Sequence, residues 1–581
     1  MESDIRSRVE NVLEQDESLV WVLSGHKRFQ YSEGLSAEKY LEKVLLSVAD
    51  KSSNSYELER WIRDWTSEYH LSRKRSQLLR GFHFDRTKKV LEVGCGCGAI
   101  TRFLGETFDD VVSIEGSLAR ARLARLRTKG MENVSILCAP FQEIKVAERF
   151  DIIFCIGVFE YSRMFVDDPD PFDFILRHFH NLLKPDGEIF IAIENQFGLK
   201  YFSSSKEDHS EIMFDGLEGY PRHGEKEKTF GYYELKDILG KYFSCVEFYF
   251  PYPDYKTPSC ILSERFLSKV KAGELVGRVI ANSLIDRQTP LFDERLVLFE
   301  LERNRMLPFF SNSFLAVAGK MNTLSNKMAS LGLIYTNSRR KKYQAVTMFS
   351  EQDDGRISVT KTPLDSDDNA EAGPVTLKKL KSEWMEGLSI DAQVMKRVKE
   401  RSMTLKEIFT PCGIWAKAVQ SLSYKEGGVE FLEGKYLDCT WGNSFVVGGE
   451  CRFIDLEWEL PHPIPLNVLV IRSIYDFLTE ISSMNDLSPR LAFRSQGKLI
   501  KRIASDLGFA LKPGDFDEFC KLESGLCQEV NGKSYFRRLV LIKLMLWNKS
   551  VCSAVFFMNN LTKKIFYYYH AVEMKFRSCW Q

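Results

Sequence analysis

The 581-residue sequence contains no long hydrophobic run and no excess of charge of either sign. Lysine plus arginine and aspartate plus glutamate number 80 each, so no basic surplus favours binding to nucleic acid. The nearest approach to a transmembrane segment, LVLIKLMLW, is short and contains Lys543. The amino-terminal residues do not follow the pattern of a secretory signal peptide. We therefore expect a cytoplasmic protein that binds no nucleic acid.

The cysteine spacing argues against a disulfide framework. The 13 cysteines are scattered along the chain, so reduced thiols in a cytoplasmic protein are the natural interpretation. A chain of this length is too long for one ordinary core, and 44% apolar residues are enough to fill more than one. Two or more domains are therefore expected.

Hydrophobic spacing divides the chain into segments. Apolar residues recur at helical spacing up to about residue 82, and short β-branched runs such as VLEV, VVSI and FDIIFC then alternate with helix-like stretches. This alternation predicts a doubly wound parallel α/β sheet. SCVEFYFPYPDYKTPSCILSERFL predicts two closing strands. The predicted organisation is a helical extension over 1–80, an α/β domain over 81–265, a connecting region over 266–330, an α+β domain over 331–535 and a basic-aromatic helical tail over 536–581.

The stretch KKVLEVGCGCGAITRFLGE predicts a ligand-binding turn between a strand and a helix. Its glycines allow the backbone to approach a ligand closely, and the helix that follows offers free amides. Three kinds of site fit the turn alone: a dinucleotide site, an S-adenosylmethionine site, and a metal site using Cys95 and Cys97. The cysteine pair lacks a partner pair that would complete a tetrahedral set, so we expect both side chains to pack beside the turn.

Further residues separate the two remaining alternatives. Glu92 with Gly94, Gly96 and Gly98 forms E-x-G-x-G-x-G, and Glu115 ends the next predicted strand, where a carboxylate can accept both ribose hydroxyls. With the downstream strings FDIIFCIGVFEY and LLKPDGEIFIAIEN, this pattern resembles the class I S-adenosylmethionine-dependent methyltransferases. The resemblance implies a seven-stranded, Rossmann-like doubly wound sheet and S-adenosylmethionine as the cofactor.

Three strings outside these motifs narrow the resemblance: YHLSRKRSQLLR, ENQFGLKYFSSSKEDHS and FYFPYPDYKTP. They resemble a bacterial subfamily of cell-surface polysaccharide synthesis that includes O-antigen methyltransferases. The resemblance covers about residues 60 to 265 and implies a cofactor site in three parts. The methionine end would lie against Tyr69, His70 and Arg75, the adenine between Phe141 and Gln142, and the sulfonium beside Gly157 and Val158.

The acceptor side has several candidates for proton transfer. A hydroxyl acceptor benefits from a general base, whereas a phosphate oxygen needs none. His209 in EDHS is the first candidate, with Glu194 and Asp208 as alternatives. Glu160 and Tyr161, at the end of a predicted strand, are expected to line the pocket.

A second motif lies in YLDCTWGNSFVVGGECRFIDLEW. Asp438 and Asn443 reproduce the D-x-x-x-x-N spacing of a kinase catalytic loop, and Asp455 follows a predicted hairpin. In phosphoryl transfer one aspartate orients the attacking hydroxyl, while an asparagine and a second aspartate hold magnesium. Lys361 lies on a predicted strand where a kinase keeps its phosphate-binding lysine, with Glu383 as a candidate partner.

This segment resembles the aminoglycoside- and choline-phosphotransferase type, which implies Mg-ATP as a second cofactor. Two features depart from that type: no glycine-rich loop precedes Lys361, and Tyr436 replaces the usual histidine. The alternative is a degenerate domain that binds the glycan or positions the methyltransferase. The order of the two domains resembles that of a bifunctional methyltransferase–kinase that caps O-antigen chains.

The sequence thus predicts methyl transfer to a sugar hydroxyl or terminal phosphate of a cell-surface polysaccharide or lipid-linked glycan precursor, with phosphotransfer as a second activity. Two rival interpretations are an NAD-dependent sugar oxidoreductase and a non-catalytic scaffold with a pseudokinase-like half. Polysaccharide-synthesis enzymes are the predicted protein partners. The tail over 536–581 predicts either peripheral contact with the anionic inner face of a membrane or a helical pair packed on the second domain.

Overall fold

The computed structural model describes residues 9–24, 32, 34–145, 148–224, 226–281, 290–364, 373–484, 486–491 and 495–547. The chain divides into two units between Leu333 and Ile334. We call the amino-terminal part unit 1 and the carboxy-terminal part unit 2, and each is described by itself.

Unit 1 is built on a mixed sheet with the strand order β1-β2-β5-β4-β3-β6-β7-β10-β8-β9. The strands are β1 (Leu13–Gln15), β2 (Trp21–Leu23), β3 (Lys89–Val93), β4 (Asp110–Glu115), β5 (Val134–Cys138), β6 (Phe150–Ile156), β7 (Leu183–Glu194), β8 (Cys245–Tyr252), β9 (Cys260–Ser263) and β10 (Ser313–Gly319). Strands β3 to β7 are parallel to their neighbours within this group. This confirms the predicted doubly wound α/β fold.

One central strand of the sheet, β10, lies within residues 266–330, which the sequence predicts as a connecting region. Strand β10 pairs antiparallel with β7 on one side and with β8 on the other. All seven of its residues are buried. The predicted limit of the α/β domain at residue 265 is therefore wrong, because the sheet is incomplete without residues 313–319.

The amino-terminal segment differs from the helical extension that is predicted over residues 1–80, because it also contains strands. Among the described residues, β1 and β2 form an antiparallel pair, and β2 extends the sheet by pairing with β5. The helices of unit 1 are Leu35–Ser47, Tyr56–Glu59, Trp65–Leu71, Lys74–Arg80, Ala99–Thr107, Leu118–Arg127, Ser162–Phe165, Pro171–Leu182, Leu199–Phe202, Tyr232–Gly240, Glu264–Lys269, Gly273–Ala281, Glu294–Arg303 and Leu307–Phe310.

Burial of both sheet faces explains why the central strands are continuous apolar runs. Every residue of FDIIFCI in β6 is buried, as expected for a parallel strand covered on both sides. Next to the glycine turn, Leu41 and Val44 of the first helix form a buried cluster with Leu123 and Cys97. The Cys97 side chain therefore packs beside the turn.

Unit 2 combines short antiparallel strands with helices. Its strands are Gly332–Tyr335, which spans the division, Ala345–Glu351, Ile357–Pro363, Thr376–Leu377, Leu380–Glu383, Tyr424–Glu426, Val429–Leu432, Ser444–Val447, Glu450–Phe453, Trp458–Glu459 and Ile464–Pro465. Its helices are Ile390–Met395, Leu405–Ile408, Cys412–Leu422, Leu466–Ile481, Gln496–Asp506, Pro513–Asn531 and Tyr535–Trp547. The predicted hairpin before Asp455 is present, since 444–447 pairs antiparallel with 450–453.

The predicted tail lies largely outside the described residues, which end at 547. Within them, the stretch LVLIKLMLW belongs to helix Tyr535–Trp547. Among the helices that the structure describes, none combines the length and apolar composition needed to cross a membrane.

Candidate active site

The glycine turn lies between the carboxyl end of β3 and helix Ala99–Thr107. Gly94, Gly96 and Gly98 all have a positive φ, of 74°, 54° and 85°, a backbone region that favours glycine. A Cβ on Gly94 would lie 2.3 Å from a Val158 methyl carbon. The turn therefore requires glycine here for conformation and for space.

A cavity of about 680 Å³ opens at this edge of the sheet, within the usual size range of small-molecule sites. It is lined by ends of β3, β6 and β7, by helix Trp65–Leu71 and by the segment after β5. Of the predicted residues in unit 1, those that line it are Tyr69, His70, Arg75, Glu92, Gly94, Gly96, Phe141, Gln142, Gly157, Val158, Glu160, Tyr161, Glu194, Asp208 and His209. Gly98, at the start of helix Ala99–Thr107, and Glu115, at the end of β4, are not among the lining residues.

Glu115 is held at the carboxyl end of β4 by the glycine turn. Its Oε2 accepts a hydrogen bond from the Gly96 amide at 2.7 Å, and its Oε1 accepts one from the Ser117 amide at 3.1 Å. The side chain is buried, and each carboxylate oxygen has a second lone pair. Two ribose hydroxyls are the kind of donors that this carboxylate could still accept.

Glu92 lies one strand away and accepts a hydrogen bond from the Ser113 hydroxyl at 2.7 Å. Burial raises the pKa of Glu92 to about 7, with a smaller contribution from the charge of Glu115. A carboxyl group with this pKa can respond to a cationic ligand group by ionising.

Arg75 forms the wall of the cavity near helix Trp65–Leu71. Its guanidinium lies 4.1 Å from the centre of the Tyr69 ring, donates to the Lys256 carbonyl at 2.8 Å and contacts the Tyr69 hydroxyl at 3.2 Å. Its Nε is buried without a hydrogen-bond partner among the described residues. Arg75 thus has an unused donor as well as its positive charge.

Phe141 and Gln142 form a short 3-10 turn after β5. The Phe141 ring stacks on Phe179 with centroids 5.7 Å apart. Gln142 donates to the Phe165 carbonyl at 2.7 Å, while its Oε1 is buried without a partner in the described part of the chain. An aromatic face and a free amide acceptor suit a planar base with an exocyclic amine.

A polar cluster lines the same cavity next to Gly157. A Cβ on Gly157 would lie 2.6 Å from the Tyr255 hydroxyl, so this wall also requires a glycine. We call this group the acidic cluster and define it by the residues Glu160, Glu194, Lys200, Glu207, Asp208, His209 and Lys256.

His209 is the centre of the acidic cluster. Its Nδ1 lies 3.2 Å from Glu207 Oε1, and its Nε2 lies 3.9 Å from Glu160 Oε1. Burial alone would lower the pKa of His209, but the hydrogen bond with Glu207 and the charges of Glu194 and Glu160 raise it to about 9. Burial, followed by the charge of Glu194, raises the pKa of Glu160 to about 8. Both groups therefore retain a proton at neutral pH.

Asp208 is tied to two lysines. Lys200 Nζ lies 2.5 Å from its Oδ2 and Lys256 Nζ lies 3.0 Å from its Oδ1. Burial opposes ionisation, but these ammonium groups hold the pKa of Asp208 well below its usual range. An aspartate so fully paired is a poor general base.

Sequence reasoning missed four residues of this side: Lys200, Glu207, Tyr255 and Lys256. Lys256 Nζ lies 2.6 Å from Glu194 Oε1, and the Tyr255 hydroxyl lies 3.3 Å from the same atom. All four occur in two strings that carry the resemblance, ENQFGLKYFSSSKEDHS and FYFPYPDYKTP. No local signal shows that these two strings meet.

Unit 2 brings two of its predicted residues together. Lys361 Nζ lies 2.5 Å from Asp455 Oδ1 and 3.0 Å from Glu457 Oε2. Glu383, the expected partner of Lys361, instead pairs with Arg356 at the surface. That expectation is wrong, because the register of the strands places Leu380 opposite Lys361.

The two residues of the D-x-x-x-x-N spacing lie in one turn. Asn443 donates from its amide to the Asp438 carbonyl at 3.1 Å, and the Asp438 carboxylate accepts from Arg472 at 2.7 Å. Burial raises the pKa of Asp438, although Arg472 opposes the shift. Asp455 has a φ of 54°, an uncommon conformation for a residue other than glycine.

Comparisons with known proteins agree with the fold of unit 1. Residues 91–189 match a family model described as a methyltransferase domain. The ubiquinone biosynthesis O-methyltransferase of Pseudomonas aeruginosa (strain UCBPP-PA14) is 30% identical over 112 residues, which are 19% of this chain and 45% of that protein. The protein of the same name from Histophilus somni (strain 2336) is 32% identical over 120 residues, 19% of this chain and 46% of that protein.

The chain thus spans somewhat less than half the length of these curated relatives. Among solved structures, the N-methyltransferase NodS from Bradyrhizobium japonicum WM9 with S-adenosylhomocysteine is 21% identical, with a TM-score of 0.19 over 28% of this chain and 74% of that one. Residues 91–189, which match the methyltransferase-domain model, lie in unit 1 and include strands β3 to β6 of its Rossmann-like sheet.

Proposed function

We propose that unit 1 binds S-adenosylmethionine and transfers its methyl group to a hydroxyl oxygen. One observation carries this proposal: a single cavity joins the glycine turn and Glu92 to the acidic cluster. The residues fit the cofactor on three grounds. Glu115 retains acceptor capacity beside the turn, Arg75 has an unpaired donor for a carboxylate, and the amide oxygen of Gln142 is free for an amine.

Bound S-adenosylmethionine supplies an electrophilic methyl group on a sulfonium. The chain's own contribution is to position the acceptor and to exclude water. Gly157 and Val158 would border the sulfonium, and Tyr69 and His70 would cover the methionine end. Since His209 keeps its proton at neutral pH, we assign it to holding the acceptor. We assign Glu194, whose Oε2 has no partner among the described residues, to accepting the hydroxyl proton.

A neutral hydroxyl suits this site better than a phosphate. Glu160 Oε2 and Glu194 Oε2 have no hydrogen-bond partner among the described residues, and a hydroxyl can donate to such oxygens whereas a phosphate dianion has no proton to donate. The relatives named O-methyltransferases support an oxygen acceptor. We further propose that the hydroxyl belongs to a saccharide of a cell-surface polysaccharide or a lipid-linked glycan, a choice that depends on the resemblance of YHLSRKRSQLLR, KEDHS and PYPDYKTP to that subfamily.

The test is transfer of a labelled methyl group by the full chain to two acceptor sets, a purified polysaccharide fraction and a set of phenolic hydroxyl compounds. Label in the polysaccharide supports the full proposal. Label only in the phenols supports methyl transfer and contradicts the saccharide. A chain that binds the cofactor and labels neither contradicts the hydroxyl acceptor.

A second candidate function is phosphotransfer by unit 2. The observation that favours it is the contact of Lys361 with Asp455, whose backbone is held in a strained conformation of the kind that clusters at functional sites. Lys361 would meet the phosphates of ATP, while Asn443 and Asp455 would hold magnesium. Asp438 would orient the attacking hydroxyl.

Calorimetric titration of Mg-ATP tests this second function. Saturable binding that is lost in both Lys361→Ala and Asp455→Asn supports a nucleotide site. Arg356→Ala is the matched control, because the Arg356 guanidinium lies at the surface and pairs with Glu383, outside the contact between Lys361 and Asp455. If the parent chain does not bind Mg-ATP, unit 2 is not a phosphotransferase, and a docking role for residues 334–581 replaces it.

A further inference from the structure

Three potential metal ligands converge within the acidic cluster. Glu160 follows β6, Glu194 ends β7 and His209 lies in the segment after helix Leu199–Phe202. One ligand atom of each lies within 4.8 Å of the other two. All three line the same cavity as the glycine turn.

Two carboxylate oxygens of this group are buried without partners. Glu160 and Glu194 are each 1% exposed. Within the described part of the chain, Oε2 of Glu160 and Oε2 of Glu194 accept no hydrogen bond. Leaving a buried carboxylate oxygen unsatisfied is costly, so the site is built for a group that these atoms can bind.

The histidine is oriented by a neighbour in the way that metal-binding histidines usually are. His209 Nδ1 lies 3.2 Å from Glu207 Oε1, so a proton on Nδ1 is held by that carboxylate. Glu207 is itself fixed by the backbone amides of His209 and Ser210, at 2.8 and 2.7 Å. This arrangement places Nε2 3.9 Å from Glu160 Oε1, and once a cation has displaced the Nε2 proton it matches a carboxylate–histidine–metal sequence.

The charges of the acidic cluster are compatible with a divalent cation. Its carboxyl groups are Glu160, Glu194, Glu207 and Asp208, and each of them contacts Lys200, Lys256 or His209. A divalent cation bound in place of the protons on Glu160 and His209 leaves the total charge of the cluster unchanged.

We infer that Glu160, Glu194 and His209 bind a divalent transition-metal cation of the Mn²⁺ type at the acceptor end of the cavity. Two carboxylates and one imidazole suit this class better than calcium, which prefers an all-oxygen site. Three protein ligands leave open positions, so a bound cation would replace His209 as the group that holds the acceptor hydroxyl, and it would lower the pKa of that hydroxyl so that the proton can pass to solvent. The cation site itself does not depend on the proposed methyl transfer. Its role in activating the acceptor hydroxyl does depend on that proposed function.

The test is titration of the full chain with Mn²⁺, with the free ion followed by electron paramagnetic resonance. Manganese is the probe because the 13 cysteines would compete for zinc. We expect one Mn²⁺ per chain, with binding weakened at least about tenfold in Glu160→Gln and in His209→Asn. Glu207→Gln, a positioning variant, should weaken binding by about 10- to 100-fold.

Glu234→Gln is the matched control, because this carboxylate pairs with Lys228 at the surface, and Mn²⁺ affinity should be unchanged. Binding of S-adenosylhomocysteine, measured on every variant, reports whether unit 1 is folded. Absence of a saturable Mn²⁺ site, or a site that survives in both ligand variants, overturns the inference and leaves the proposed function intact if the cofactor still binds. Mn²⁺ binding without cofactor binding supports the cation site and contradicts the proposed function.

Discussion

Replacing Glu115 by glutamine should weaken cofactor binding without removing the glycine turn. The carboxylate accepts from the Gly96 amide at 2.7 Å and from the Ser117 amide at 3.1 Å, so it is fixed in place before a ligand arrives. Glutamine keeps one acceptor oxygen and turns the other position into a donor. Hydrogen bonds to charged groups contribute about 1.5–3 kcal/mol each, and losing one corresponds to a dissociation constant about 10- to 150-fold higher.

The assay is calorimetric titration of S-adenosylhomocysteine into the full chain and into Glu115→Gln. Glutamine also leaves one backbone amide facing a donor, which costs about 1–3 kcal/mol of stability, so the melting temperature is measured in parallel and the titration is run well below it. Glu234→Gln, a surface change of the same chemistry, should bind like the parent. If a folded Glu115→Gln variant binds within twofold of the parent, Glu115 does not contact the cofactor.

Three further substitutions test the packing and electrostatics of the structure. Gly94→Ala places a Cβ 2.3 Å from Val158 at a φ of 74°, so its melting temperature should fall and cofactor binding should be lost. The pKa of Glu92 rises from 4.5 to about 7 on folding, so ionisation of this carboxyl group opposes folding. The free energy of unfolding should therefore fall by about 3 kcal/mol as the pH rises from 4.5 through 7. In denaturation curves, Glu92→Gln should reduce the fall across this range by that amount relative to the parent, while the part that arises from Glu160 remains. Arg472→Met leaves the buried Asp438 carboxylate without its cation and should destabilise unit 2 by about 3–5 kcal/mol in urea unfolding, whereas Arg502→Met at the surface should change it little.

The glycine turn was predictable because its signals are local. A buried strand, three glycines at fixed spacing, and an acidic residue at the end of the next strand are all readable within 30 residues of chain. The structure adds the reason for each glycine, such as the approach of Val158 to Gly94.

The central strand β10 was not predictable in the same way. SFLAVAG is an apolar run of strand length, but its place between β7 and β8 depends on pairing with residues that precede it by more than 60 positions. Because neighbouring strands in a sheet are most often consecutive in sequence, the order β7-β10-β8 is one that pattern reasoning does not favour.

The acidic cluster also depends on contacts between residues that are distant in sequence, which local patterns do not predict. Residue type alone makes His209 and Glu194 candidate bases, and the structure places both in one cavity. Lys256 pairs with both Glu194 and Asp208, and it lies almost 50 residues after Asp208 in the chain. The charge state of His209 follows from these long-range neighbours, so its role as a general base could not be judged from EDHS alone.

The most direct test of the central claim is a competition between two cofactors on the full chain. S-adenosylhomocysteine and NAD are titrated separately by calorimetry, and then each is titrated in the presence of the other. The account predicts saturable binding of one S-adenosylhomocysteine per chain, unaffected by NAD. Binding of NAD with none of S-adenosylhomocysteine would contradict it and would favour a nicotinamide-dependent oxidoreductase.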